Sequence, residues 1–229
     1  VKSIFISGTS RGIGQALCEH YLNQGWQVGG CSRAESSISH GNYTHYEIDV
    51  TNEKEVVFAL RDFSKKTDGI EAMICNAGRG AMGPLAVSSV EEMHSVFEVN
   101  VSGTFLFLRE GAKLMAQSGG SIVTLSSIAV PLDLPGESLY SASKATVEQF
   151  TRTAAREFAP LGIRVNAVGP CLMDTDLTKG LQEDIRQKLL SEQWISRTAS
   201  FHEVVSVIDF FISESSSMVT GQVLYMGGV

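Results

Sequence analysis

Tyr140-Ser141-Ala142-Ser143-Lys144 sets a phenol and an ammonium four residues apart, which on a helix puts both on one face, one turn apart. A cation so placed stabilises a phenolate, so the pair could pass a proton to or from a bound molecule. Of the five tyrosines, only Tyr140 has a lysine four positions on. A second constellation is Gly8-Thr9-Ser10-Arg11-Gly12-Ile13-Gly14, directly after the apolar run Ser3–Ser7. Glycines there let the chain turn tightly, bring backbone N–H groups close to a pyrophosphate and aim a helix N-terminus at its charge. Taken alone the cluster also fits a plain turn; its place after the first strand of an alternating series points to a nucleotide.

The elements that must hold these groups are legible as alternating patterns. Short β-rich runs occur at Ser3–Ser7, Gln27–Cys31, Thr44–Ile48, Ala72–Cys75, Ser121–Ser126, Arg164–Val168 and Gln222–Met226. Between them apolar residues recur at helical spacing, as in Ile13, Leu17 and Tyr21, or Val99, Phe105, Leu106 and Leu108. Gly25 reads as the residue closing the first helix. Ser89 with Glu92, and Ser200 with Glu203, fit the reciprocal capping box. Nearly continuous apolar strands alternating with helices predict an α/β fold of Rossmann type, doubly wound: a seven-stranded parallel sheet with helices on both faces, in a single domain over 1–229. Ligands of such sheets bind beyond the carboxyl ends of the strands. Ser36–Asn42 reads as a polar loop, and the partly helical excursion 173–194 as a substrate lid, with Trp194 and Ile195 at its end.

The G-x-x-x-G-x-G spacing at Gly8, Gly12 and Gly14 resembles the short-chain dehydrogenase/reductase family, and the rest of the chain extends the likeness. Asn76-Ala77-Gly78 resembles the family's N-A-G motif, Asp49-Val50 its adenine-contacting pair, and Asn100 lies where its fifth helix carries an asparagine. Ser127 precedes Tyr140 by the family's usual thirteen residues, with the Ser126 side chain turned to the other side of the strand. The resemblance implies that Tyr140 is the acid/base, that Ser127 hydrogen-bonds the carbonyl oxygen, that Lys144 holds the nicotinamide ribose, and that Asn100 supports a water-linked proton relay behind it. A phenol of pKa about 10 is a slow shuttle at neutral pH, and Lys144, helped by the oxidised nicotinamide's charge, is expected to lower that value. Asn166-Ala167-Val168-Gly169-Pro170-Cys171-Leu172-Met173-Asp174-Thr175 is similar to the segment that lines the nicotinamide, with Pro170, Cys171 and Leu172 as contacts and Thr175 near the phosphates. Cys171 stands where glycine is usual; its Cβ could crowd the backbone and cofactor, and it reads either as a small filler or as a reactive thiol.

The second strand runs out through Gly29-Gly30-Cys31-Ser32-Arg33, with no acid until Glu35. An enzyme preferring NAD(H) would place a carboxylate there to take the adenosine ribose hydroxyls. Ser32, Arg33 and, from the glycine loop, Arg11 instead suit a 2′-phosphate, so NADP(H) is the expected cofactor with NAD(H) as the other possibility. Over its length the chain looks most like 3-oxoacyl-[acyl-carrier-protein] reductases, with Asp174-Thr175-Asp176-Leu177-Thr178-Lys179 and Arg197 in comparable places. Carrier proteins are acidic, however, and Gln117-Ser118-Gly119-Gly120 has no cation, so Lys179 alone would have to serve.

The expected activity is therefore NADPH-dependent reduction of a carbonyl, with an acyl carrier protein as one possible partner. Oxidation of a secondary alcohol such as a sugar uses the same residues in reverse. A nucleotide-sensing protein without turnover is the third reading, disfavoured by the complete set Asn100, Ser127, Tyr140 and Lys144. The 229 residues carry 18 Lys+Arg against 25 Asp+Glu, a formal −7, which repels phosphate backbones and argues against nucleic acid. No apolar run reaches the roughly 18 residues of a membrane span, and the chain is expected in the cytoplasm. Four scattered cysteines and five histidines show no metal-ligand spacing. The apolar stretch Ile128–Pro135 reads as a wall of the substrate pocket or as packing for its own loop. The helix Tyr140–Phe158 offers Ala145, Phe150, Ala154 and Phe158, and the resemblance implies that it pairs with the preceding long helix in a homotetramer, or failing that a homodimer.

Overall fold

The computed structural model describes residues 2–175, 178 and 183–229. Strand β1 (Ser3–Ser7) leads through the glycine loop into α1 (Gly12–Asn23), then β2 (Gln27–Ser32), β3 (Tyr43–Glu47), α2 (Glu53–Thr67) and β4 (Ala72–Cys75). Next come α3 (Val90–Phe97), a π-helical turn (Glu98–Gly103), α4 (Thr104–Met115), β5 (Gly120–Leu125), the short α5 (Ala129–Leu132), α6 (Ser138–Phe158) and β6 (Ile163–Gly169). The chain ends with α7 (Glu183–Glu192), α8 (Phe201–Ile212) and β7 (Val223–Tyr225). All seven strands are parallel, in the order β3-β2-β1-β4-β5-β6-β7. That order reverses between β1 and β4, where a crevice opens beyond the strands' carboxyl ends.

Both faces of the sheet are covered, which is why its strands read as unbroken apolar runs. Along β1, Phe5 points to one face and Ile4 and Ile6 to the other, the period of two that a pleated strand imposes. Phe5 packs against Phe63 of α2, Phe107 of α4 and Tyr46, its ring centroid 5.5 Å from that of Phe63. Ile4 and Ile6 join Leu17 and Tyr21 of α1 and Ile208 and Phe211 of α8 in the opposite core. Caps fix where helices begin: Asn52 accepts from Lys54 N and Glu55 N ahead of α2, and Ser89 from Glu92 N ahead of α3. Of the two expected capping boxes, the one made by Ser200 and Glu203 is completed in both directions.

Several boundaries shift. The third strand lies one residue earlier than expected, the fifth stops at Leu125, leaving both Ser126 and Ser127 in the loop beyond, and the seventh is trimmed to Val223–Tyr225. Apolar spacing around Val99 concealed the π-helical turn, a local insertion often found at functional sites. Of the residues expected at a subunit interface, Ala154 is buried in the chain's own core, while Ala145, Phe150 and Phe158 are partly exposed, the two phenylalanines packing one side against that core. No helix among the described residues is long and apolar enough to cross a membrane.

Candidate active site

The glycine loop sits at the reversal between β1 and β4, and its three glycines do different work. Gly8 has φ +75°, and a Cβ there would lie 2.8 Å from Ala77 Cα. A Cβ on Gly14 would fall 2.0 Å from the Gly8 carbonyl oxygen, so the start of α1 lies against the strand end. Gly12, at φ +60°, has no heavy atom within 4 Å of that position, leaving open space in front of a helix whose first turn no side chain caps. The N-terminus of α1 thus opens at the end of β1 with no side-chain cap, the arrangement in which helix N–H groups are able to take an anion.

A second loop is bolted to the first. Asn76 donates from Nδ2 to the carbonyls of Ser7 (2.9 Å) and Gly8 (3.0 Å), while Ser7 Oγ accepts from Asn76 N and Ala77 N, both at 3.0 Å. Ser7 escaped sequence reading because it looks like any residue ending a strand. Asp49 turns one carboxylate oxygen onto Thr51 N and Oγ1, and buried Val50 packs beside Gly103. Buried Ser32 ends β2, and Arg33 follows it into solvent.

Ser127, Tyr140 and Lys144 are brought together from the loop after β5 and the first turns of α6. Lys144 Nζ lies 5.7 Å from the Tyr140 ring centroid and donates to the Leu125 carbonyl at 2.7 Å. A Cβ on Gly78 would sit 3.5 Å from Lys144 Nζ and 3.4 Å from Asn100 Oδ1, so the N-A-G loop meets the pair at a residue with no side chain. Asn100, fully buried in the π-helical turn, accepts from Arg79 N (2.7 Å) and donates to Arg79 O and Ser143 Oγ, both at 2.9 Å. Ser143 in turn donates to the Tyr140 carbonyl at 2.6 Å. The Asn100 amide therefore pins the N-A-G loop to the helical turn that carries the phenol.

The expected lowering of the Tyr140 pKa does not occur with the protein's own groups. Burial pushes the phenol up to about 12, the Ser127 hydroxyl pulling it down and Glu137 adding to the rise. The same burial lowers Lys144 to about 8, with Cys75 opposing. The ammonium faces the Leu125 carbonyl instead of the phenol oxygen's charge.

Ser126 does point away from Ser127. Its hydroxyl donates to Glu148 at 2.5 Å, and Tyr225 of β7 donates to the same carboxylate oxygen at 2.6 Å. Glu148 is 4% exposed and four residues beyond Lys144, so helical spacing was the signal that could have revealed it. Through Ser126 it anchors the backbone that presents Ser127.

On the segment after β6, Ile128 N donates to Pro170 O, tying it to the Ser127 loop. Cys171 is buried and takes no positive φ, so its Cβ strains nothing, and burial raises its thiol, which favours the filler reading. Leu172 N donates to Oε1 of Gln193, a side chain 2% exposed that also reaches the carbonyls of Ile195 and Arg197. No sequence pattern marked Gln193. Thr175 lies in a turn closed by Thr178. Trp194 and Ile195 are exposed, and their N–H groups donate to Gly228 and Gly227. Residues 176, 177 and 179–182, including Lys179 and the middle of the expected lid, lie outside the described residues. In the Ile128–Pro135 stretch, Ile128 and Ala129 are buried. Val130 and Leu134, with Ala142 and Ala145, line an open groove of about 500 Å³ that Ser127, Tyr140 and Lys144 do not touch. Among the described residues no group of three or more His, Cys, Asp or Glu side chains could hold a metal ion.

Residues 8–228 match a family described as enoyl-(acyl carrier protein) reductase. The 3-oxoacyl-[acyl-carrier-protein] reductase of Aquifex aeolicus (strain VF5) is 32% identical, covering 99% of this chain and 96% of its own. Glucose 1-dehydrogenase of Gluconobacter oxydans (strain 621H) is 31% identical, covering 99% and 91%. The solved structure of ElxO with NADP bound is 27% identical with a TM-score of 0.90, covering 98% of this chain and 96% of that one.

Proposed function

We propose that this chain, which belongs to the short-chain dehydrogenase/reductase family and is an NAD(P)-dependent oxidoreductase acting on CH–OH and C=O groups, is an NADPH-dependent ketone reductase with Tyr140 as its proton donor. The observation that carries the reading is the meeting of Ser127, Tyr140 and Lys144 beside Gly78, at the sheet reversal where the glycine loop opens. When bound, the reduced nicotinamide supplies a hydride to the carbonyl carbon. Ser127 holds the carbonyl oxygen, Tyr140 gives it a proton, Lys144 holds the nicotinamide ribose and restores the proton, and Asn100 keeps the N-A-G loop and the Tyr140 turn in register. The glycine loop with Asn76, Ala77 and Gly78 holds the dinucleotide, Asp49 and Val50 its adenine end, and Pro170, Cys171, Leu172 and Thr175 its nicotinamide end.

NADPH is preferred because β2 ends in Ser32-Arg33, with no carboxylate to repel a 2′-phosphate. ElxO, whose structure is described with NADP, is consistent with that choice. The similarity to glucose 1-dehydrogenase favours a second reading, oxidation of a sugar or another secondary alcohol by the same residues. An acyl-carrier substrate remains one member of the first class, and a cytoplasmic homotetramer or homodimer with 173–194 as lid completes the proposal. Direct titration of NADPH and NADH, followed by a panel of ketones, 3-oxoacyl thioesters and alcohols read by NADPH absorbance, tests it. Tighter binding of NADH, or turnover confined to alcohols, would overturn it.

A further inference from the structure

His45 lies on β3, paired in register with Gly30 of β2, and neither its type nor its place suggests a role in the sequence. Its ring nitrogens nevertheless bridge two parts of the cofactor site. Nε2 is 2.9 Å from the Ala34 carbonyl, which can only accept, so this nitrogen carries the proton and donates. In the neutral ring Nδ1 then accepts, and its neighbour at 3.0 Å is the Tyr43 hydroxyl. Burial pushes that phenol up to about 12, so it keeps the proton it donates. Thr9 Oγ1 lies 3.0 Å from the Tyr43 oxygen and 3.4 Å from Cys31 O, onto which both Thr9 N and Gly8 N donate. A Cβ on Gly30 would fall 2.4 Å from the Tyr43 hydroxyl and 2.9 Å from Thr9 Cγ2, so the glycine makes the room that this line crosses. Hydrogen bonds thus run unbroken from the glycine loop, across the sheet edge, to the turn that carries Arg33.

The Ala34 carbonyl has a second donor, the Ser32 hydroxyl at 2.7 Å, itself 3.3 Å from His45 Nε2. A carbonyl held twice can release one donor and stay satisfied. We propose that His45 is a positioning residue for 2′-phosphate specificity: by keeping the Ala34 carbonyl, it frees the Ser32 hydroxyl to turn to the phosphate and fixes the turn that presents Arg33. The inference rests on the NADPH reading above and adds to it a residue outside the strand-two loop.

The test titrates NADPH, NADH and 2′-AMP against the full chain and its His45→Ala and His45→Gln variants. His45→Ala is expected to weaken NADPH and 2′-AMP by roughly five- to twenty-fold, the size of a lost hydrogen bond with its follow-on disorder, and NADH by less than about twofold. His45→Gln, which keeps a donor for Ala34 and an acceptor for Tyr43, is expected to retain NADPH affinity within about threefold. Equal losses for NADPH and NADH, or none, overturn the role of His45 while an unmutated preference for NADPH leaves the cofactor reading standing. Tighter NADH binding by the unmutated chain overturns both. If His45→Ala does not fold, Tyr43→Phe takes its place: it strips Nδ1 of its donor and should shift the NADPH/NADH ratio the same way, and an unchanged ratio overturns the proposal.

Discussion

Replacing Lys144 by methionine should abolish turnover and yet make the protein more stable at neutral pH. Lys144 is 5% exposed, and burial lowers its pKa from 10.5 to about 8. Holding the ammonium charged inside the fold therefore costs about 3 kcal/mol. Below a pH of about 8 both folded and unfolded chains carry the proton and the cost is present in full. As pH rises from about 8 toward 10.5 the folded chain sheds its proton while the unfolded chain keeps it, so stability grows with pH until the difference is gone. Methionine fills a similar volume without charge. Against this gain stands the Leu125 carbonyl, which loses its 2.7 Å donor at a cost of about 1 kcal/mol. The net expectation is a variant more stable by about 1–2 kcal/mol at neutral pH, its lead shrinking as pH climbs to about 9.5. Urea unfolding followed by tryptophan fluorescence, at one protein concentration and several pH values, reads both quantities. A variant no more stable than its parent at neutral pH, or a difference that does not change with pH, refutes the reasoning.

Tyr140→Phe should remove turnover while leaving NADPH affinity within a few fold, because the ring still packs and only the proton is lost; steady-state rates and a fluorescence titration decide it. Arg33→Asp should cost NADPH about 1.5–3 kcal/mol more binding than NADH, and equal losses in calorimetry would remove Arg33 from the phosphate. Gly14→Ala should destabilise the fold by about 3 kcal/mol and lose cofactor, because its Cβ meets the Gly8 carbonyl at 2.0 Å, whereas Gly12→Ala, with nothing in the way, should lose only the αL preference of about 1–2 kcal/mol. Thermal melts of the two variants compare the effects.

What the sequence made legible was whatever repeats or sits next to itself in the chain. Strand and helix alternation gave the sheet, because two buried faces force near-continuous apolar strands such as Ile4-Phe5-Ile6. Tyr140 and Lys144 were visible because a helix converts a spacing of four into contact. The residues that sequence reading missed act across the fold. Glu148 reaches Ser126 and Tyr225, Ser7 the N-A-G loop, Gln193 the segment after β6, and His45 the turn after β2. Each is a common polar type at a site where only tertiary packing makes it buried or bonded. Spacing likewise showed the cation near Tyr140 but not the desolvation that raises the phenol among the protein's own groups.

That desolvation bears on where the proton of the pair rests, because burial acts with opposite sign on a phenol and an ammonium. In water the two are nearly matched, at about 10 and about 10.4. In the folded chain Tyr140 stands at about 12 and Lys144 at about 8, so the lysine has become the stronger acid of the pair. With the lysine the stronger acid, the proton rests on the phenol of Tyr140, which a matched pair would not enforce. Both directions of the reaction pass through a phenolate at Tyr140, the form this site resists, and added positive charge next to the ring would relieve that cost in either. The protein's own groups thus set the resting protonation of the pair and leave the direction of the reaction to cofactor and substrate.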